Sequence, residues 1–253
     1  MNVLDQPVRA TTQPPAAPVA ELRGVTRVYH KPDGTVMAQA LAGIDLVVRR
    51  GEYVAVMGAS GSGKSTLMNI LGCLDRPSDG EFLLAGRPVH QLNDEELSHF
   101  RGQTVGFIFQ AFNLIPQLTV AANVEVPLFY QGGPPPERRR RAVEALGLVG
   151  LGDRVEHRPS ELSGGQQQRA AIARALVTKP VILMADEPTG NLDSKTGESI
   201  LQLFESLHRQ GLTIIMVTHD DNVARRCERV VRLRDGLVEF DRPIENRVTT
   251  LAE

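Results

Sequence analysis

The segment Gly58-Ala-Ser-Gly-Ser-Gly-Lys-Ser65 constrains the fold more than any other stretch of the chain. Its glycines at 58, 61 and 63 lack the Cβ atoms that would stop successive backbone N–H groups from curling around an oxyanion. Such a loop belongs between a buried strand and a helix N-terminus. The flanks read that way, because Tyr53-Val-Ala-Val-Met57 is an apolar run of strand length and Thr66-Leu-Met-Asn-Ile-Leu71 opens a helix. An α/β fold follows. The loop from Gly58 through Ala59, Ser60, Gly61, Ser62 and Gly63 is expected to cradle the α- and β-phosphates of a nucleotide, with Thr66 in the following turn. Lys64 adds a point charge for the β- and γ-phosphates, and the Ser65 hydroxyl is placed to ligate Mg²⁺.

A second segment of phosphate-binding character, Leu162-Ser163-Gly164-Gly165-Gln166, also precedes a helix. Ala171, Ile172, Ala175 and Leu176 form that helix's apolar stripe, which stops at Lys179-Pro180. Ser163 could be an ordinary N-cap. Two glycines inside the first turn cost about 1 kcal/mol each in propensity, so capping alone does not explain them. They offer bare N–H groups at the positive end of a helix, which suit a terminal phosphate. One nucleotide cannot fill both devices, so the second is expected to close on a nucleotide held by another copy of the chain.

A third feature is Val181-Ile-Leu-Met-Ala185, which reads as a central parallel strand delivering Asp186 and Glu187 to the ligand-binding edge of the sheet. Asp186 would serve the Mg²⁺ shell and Glu187 would orient the water that attacks the γ-phosphate. An exposed acidic pair ending a strand is the plainer reading of these two residues taken alone.

Together these motifs resemble the ATPase subunits of ABC transporters, over about residues 21 to 240. The stretches Gly106-Phe-Ile-Phe-Gln-Ala-Phe-Asn-Leu-Ile-Pro116 and Ala185-Asp-Glu-Pro-Thr-Gly-Asn-Leu-Asp193 are similar to the branch of lipoprotein-releasing and macrolide-efflux ATPases. The resemblance implies a P-loop NTPase core with an antiparallel β subdomain and an inserted α-helical subdomain. In a head-to-tail homodimer holding two ATP molecules, it assigns Ser163, Gly164, Gly165 and Gln166 to the γ-phosphate in trans. Leu192 and Asp193 correspond to the D-loop, and Gln110 to a glutamine that ligates Mg²⁺ and senses the attacking water. His219 corresponds to the switch histidine, and Tyr29 to the aromatic that stacks on adenine, although a strand-surface tyrosine is an equally simple reading. The implied function is an ATP-hydrolysing motor, peripheral on the cytoplasmic side of the inner membrane. It would drive outward movement or release of lipoproteins, amphiphiles or drugs through integral membrane permease subunits on separate chains. A nucleotide-gated regulator of a membrane complex, such as one controlling a cell-wall hydrolase, needs the same motor. A soluble ABC ATPase acting on ribosomes or DNA fits less well, since such proteins carry paired cassettes or long coiled-coil insertions.

Composition agrees with this reading. The hydrophobic content, 42% of 253 residues, supplies a real core. Lys and Arg total 28 against 30 Asp and Glu, so the charge balance does not favour nucleic acid as a partner. No run of eighteen apolar residues exists, so direct membrane insertion is not expected. Cys73 and Cys227 lie far apart without metal-ligand spacing and read as packing residues.

Along the chain, residues 1–20 carry four prolines and no periodicity and read as a disordered leader, with residues 241–253 as a tail. Leu22–Val28 and Ile44–Val48 read as antiparallel strands about a turn at Asp33-Gly34. Thr104–Phe109 is expected to be a strand closed by Gln110. The pattern turns helical from about 112 to 178, then alternates strand and helix to 233. The arginines at 138–141 read as a solvated helix face. Phe112, Leu114, Ile115, Leu128 and Phe129 are shared between a small core and a groove for a membrane partner.

Overall fold

Residues 16–248 are described by the computed structural model, and they build two sheets. The first is antiparallel, in the order β2 (Val36–Arg49), β1 (Pro18–His30), β4 (Asp79–Leu84) and β5 (Arg87–Pro88). The second runs β10 (Leu237–Pro243), β9 (Arg229–Arg234), β3 (Tyr53–Gly58), β8 (Thr213–Val217), β7 (Ile182–Asp186) and β6 (Val105–Ile108). It is parallel except at β10.

Strand periodicity divides the core. Successive side chains point to opposite faces of a sheet. In β3, Tyr53, Ala55 and Met57 join Ile214 and Met216 of β8 on one face, packed against α5 (Gly164–Leu176) and α6 (Ser194–Arg209). Val54, Val56, Ile215 and Val217 share the other face with α1 (Lys64–Leu71) and with Leu22, Val25 and Ile44 of the antiparallel sheet. Strands buried on both faces must be apolar throughout, which is why 53–57 and 213–217 are such uninterrupted runs.

Three helices fall in the stretch that reads as helical: α3 (Val120–Tyr130), α4 (Pro135–Leu148) and α5, preceded by α2 (Asp94–Thr104). Short helix α7 (Asp221–Ala224) lies between β8 and β9. The arginine run is not a bare solvated face. Arg138 donates to the Gly133 carbonyl at 2.7 Å and Arg141 to that of Val177 at 2.7 Å. Arg139 pairs with Glu125 and Glu156, and Arg140 with Glu137 and Glu144. Of the apolar residues at 112–129, Leu128 is buried and Leu114 packs against the core, whereas Phe129 is 62% exposed. Both cysteines are buried, and burial pushes the Cys73 thiol up to about 12.

Several boundaries differ from expectation. Residues 1–15 lie outside the described residues, but β1 starts at Pro18, inside the expected leader, because Val19 and Ala20 are buried beside Leu22. Proline is tolerated at a strand's first residue. At the other end β10 continues to Pro243, and Ile244 and Val248 donate to the carbonyls of Glu228 and Arg225, so the tail is bonded to the core as far as 248. The expected strand at 104–109 is shorter, 105–108, since Thr104 closes α2. β7 is interior rather than central, fifth of six strands.

Candidate functional site: a nucleotide cleft

The loop between β3 and α1 forms the floor of a cleft of about 690 Å³. Gly58–Gly61, Gly63, Lys64, Ser65 and Thr66 line it, together with Asp186, Glu187, His219, Tyr29 and Ala38. Backbone crowding explains two of the glycines. A Cβ on Gly58 would lie 2.4 Å from the Leu233 carbonyl oxygen, and one on Gly63 would lie 2.6 Å from that of Ala40. Both also have positive φ, at 150° and 101°. Gly63 is the N-cap of α1 and contributes no side-chain cap, so the first amides of the helix face the cleft without competition. The Lys64 ammonium arches over the loop and donates to the carbonyls of Gly58 (2.7 Å) and Ala59 (2.8 Å). Ser62 is the one loop residue that does not line the cleft; it is buried beneath it.

Parallel pairing brings the acidic edge to the same place. β7 ends beside β8, with Asp186 in register with Val217. The next residue, Glu187, has φ +43° and donates its amide to the Val217 carbonyl. A bulky non-glycine residue in the left-handed region costs on the order of 1 kcal/mol or more, and such strain gathers at functional sites. The turn aims the Glu187 carboxylate at His219, whose Nδ1 lies 2.7 Å from Oε1. His219 follows β8 by two residues and is 72% exposed at its side chain. Burial, then the neighbouring Glu187, raises the Asp186 carboxyl above the usual aspartate value, against a lowering by Lys64. No periodicity or propensity in the sequence signals the strained φ of Glu187.

Gln110 does not join this group. It does not line the cleft, and its amide turns to Asn191, with Nε2 3.4 Å from Oδ1, while Asn191 Nδ2 donates to the Gln110 carbonyl at 2.9 Å. A Cβ on Gly190 would meet the Gln110 amide at 2.7 Å, so that glycine makes room for it. Nothing in the local sequence pattern marks Asn191 as its partner.

The Ser163–Gln166 segment also lies outside the cleft. Ser163 is an N-cap after all: its Oγ accepts from Gln166 N (3.3 Å) and Gln166 Oε1 accepts from Ser163 N (3.0 Å), closing a capping box. Gly165 has a packing reason of its own, since a Cβ there would lie 2.3 Å from Thr196 Cγ2 on α6. The amides of Gly164 and Gly165 begin the helix and have no intrahelical acceptor. Leu192 sits against Gly164, and Asp193 caps α6 by accepting from Thr196 N at 3.0 Å.

Known proteins of the same architecture bear on this arrangement. A model of the family described as ABC transporter matches residues 41–190. An uncharacterised ABC transporter ATP-binding protein of Thermotoga maritima is 53% identical over 221 residues, 87% of this chain and 94% of that protein. The macrolide export ATP-binding/permease protein MacB of Brucella melitensis is 52% identical over 225 residues, 89% of this chain but 34% of MacB. The chain thus spans about a third of the length of its macrolide-export relatives. A dimeric ATP-binding cassette in a post-hydrolysis state, bound to ADP and Pi, superposes with a TM-score of 0.80 at 46% identity, over 89% of this chain and 99% of that one. The chain belongs to the ABC transporter family, as an ATPase cassette.

Proposed function

We propose that this chain is the motor subunit of a transport complex, whose homodimer closes on two Mg-ATP and reopens after hydrolysis. One observation carries the reading: the phosphate loop, Asp186, Glu187 and His219 converge on one cleft, while the Ser163–Gln166 helix start stands outside it. That helix start can meet a nucleotide only from a second copy.

In this reading the amides of Gly58–Thr66 and the Lys64 ammonium hold the triphosphate. The site is rich in hard oxygen donors, and the Ser65 hydroxyl with the Asp186 carboxylate suits Mg²⁺. Bound there, the ion would neutralise charge on the β- and γ-phosphates. Glu187, fixed against His219, orients the attacking water and takes its proton, and His219 contacts the γ-phosphate. Gln110 would have to leave Asn191 to reach an ion held there, a side-chain movement that suits a sensing role. Ser163, Gly164, Gly165 and Gln166 complete the partner's site, with Leu192 and Asp193 beside them at the interface.

No helix among the described residues is long and apolar enough to cross a membrane, and in this reading the motor passes its force to membrane-spanning permease subunits. A cleft of about 360 Å³ between β6 and α3, lined by Val105, Phe107, Phe109, Val126 and Pro127 with Arg101, suits an amphipathic helix of a permease subunit. The likeness to MacB supports efflux of macrolide-like or other amphiphilic cargo, from the cytoplasmic side of the inner membrane.

Mixing two inactive variants tests the dimer. Ser163→Arg retains Lys64, and Lys64→Ala retains the signature, so their heterodimer assembles one intact composite site and regains ATP hydrolysis that neither variant shows alone. Normal hydrolysis by Ser163→Arg by itself would sink the trans arrangement.

A further inference from the structure

Tyr29 is held by two residues that no phosphate or metal role requires. Arg27 and Tyr29 are two apart on β1 and so share a face of the strand. The Arg27 guanidinium lies over the Tyr29 ring, 4.6 Å from its centroid, and so covers one face. The Tyr29 hydroxyl donates to Asp75 Oδ2 at 3.1 Å. Asp75 Oδ1 takes Arg27 Nη2 at 2.9 Å and the Arg76 amide at 2.8 Å, which closes a triangle of ring, guanidinium and carboxylate. Both charged side chains are about three-quarters buried, so the bonds are only weakly screened.

The position of Asp75 gives the triangle its meaning. α1 begins at Lys64 beside the phosphate loop and ends at Leu71. Cys73 then takes φ +53°, and the amides of Leu74 and Asp75 both fold back to the Asn69 carbonyl. One rigid helix, roughly 12 Å long at 1.5 Å per residue, thus carries the phosphate cradle at one end and the grip on Tyr29 near the other. With Arg27 over one face of the ring, a base would stack on the other. Ala38, in register with Tyr29 on β2, and Ala40 line the cleft with small side chains that take up little of the space a base would need.

We propose that Arg27 and Asp75 are positioning residues for the nucleotide base: they fix the Tyr29 ring at a set distance from the phosphate cradle, so that stacking costs no ordering of the ring on binding. This rests on the reading of Tyr29 as the base platform. A preset aromatic surface binds more tightly than a mobile one, because the entropy of fixing the side chain is already spent in the free protein.

The test is equilibrium titration of the full chain with Mg-ATP and, in parallel, with magnesium tripolyphosphate, which reads the cradle without the base. Tyr29→Ala should weaken ATP about tenfold, the scale of one lost base–aromatic stack, and leave tripolyphosphate unchanged. Tyr29→Phe, which keeps the ring and loses only the bond to Asp75, should weaken ATP severalfold, as should Asp75→Ala and Arg27→Met. Asp75→Ala combined with Tyr29→Ala should be no weaker than Tyr29→Ala alone, the non-additivity expected of one unit. Retained ATP affinity in Tyr29→Ala would overturn the platform reading and the proposal with it. If Tyr29→Ala weakens ATP while Tyr29→Phe and Arg27→Met bind like the parent, the platform stands and the positioning role is refuted. Equal losses for ATP and tripolyphosphate in Asp75→Ala would assign that residue to α1 rather than to the ring, again against the proposal.

Discussion

The parallel sheet and the helical lobe built from α3 to α5 hold themselves together by different means. In β3 and β8 the backbone is satisfied by the strand ladder, and the side chains at 53–56 and 214–217 pack at 1% exposure or less, with Tyr53 giving its hydroxyl to Met216 Sδ. The lobe shares part of that apolar core, but its loops leave carbonyls that no ladder serves, and side chains serve them instead. Asn123, fully buried, accepts from the Ile115 amide and donates to the carbonyls of Ile115, Leu118 and Thr119. Arg141, Arg169 and Arg174 reach the carbonyls of Val177, Val149 and of Phe112 and Asn113. Buried backbone groups must be paired one way or another. The sheet does so collectively and the lobe bond by bond, so the sheet is the fixed frame and the lobe the part whose attachment can be altered piecemeal.

The largest effect should come from chemistry at the edge of the fixed frame. Glu187→Gln should cut ATP turnover roughly a hundredfold or more, since water activation is lost, while ATP binding persists. Single-turnover kinetics with a binding titration separate the two, and an unchanged rate would remove Glu187 from the site. Next in size, Ile214→Ala opens a cavity in a fully buried strand and should cost about 2–5 kcal/mol, felt by the whole molecule. Chemical denaturation should show one cooperative transition at lower midpoint; loss confined to one part of the chain would contradict the frame. Asn123→Ala should cost about 1–3 kcal/mol through the Ile115 amide and the carbonyls it strands. Here hydrogen exchange should speed up across 112–160 and leave β3 and β8 protected, and uniform acceleration would erase the contrast between the two regions. Smallest is Arg140→Ala. Its partners Glu137 and Glu144 are surface groups, so the thermal midpoint should not move measurably, despite two ion pairs, and a clear drop would show that surface pairs help hold the lobe.

Much of the frame was legible because its signals are local. A glycine loop between apolar runs, and a strand ending in Asp186-Glu187, each carry their context within a dozen residues. The segment 79–103 carries no such local signal: β4 offers only Phe82 to Leu84 as apolar residues, and its pairing partner β1 lies more than fifty residues away. The site was legible in its membership but not in its posture. Sequence placed Glu187 at a strand end and the resemblance assigned His219 to the same site, yet the left-handed φ that turns one toward the other is a product of the fold. Gln110 shows the same limit in reverse, since its side chain is directed by Asn191 and by the absence of a Cβ at Gly190, both 80 positions or so further on. Ser163 carries two roles in one residue, an N-cap and an expected phosphate contact, and residue type cannot separate them.

The contact of Gly165 with Thr196 has a consequence for anyone recombining relatives of this protein. A side chain at 165 is admitted only if Thr196 gives way, by turning its methyl aside or by being replaced with a smaller residue, so the two positions are sterically coupled. A chimera that imports a segment around 162–166 with a side chain at 165 must adjust position 196 with it. Where the donor carries alanine at the first position, the recipient's threonine will wedge α5 away from α6, and the fault will surface in the joint between the two helices although each imported residue is sound in its own setting.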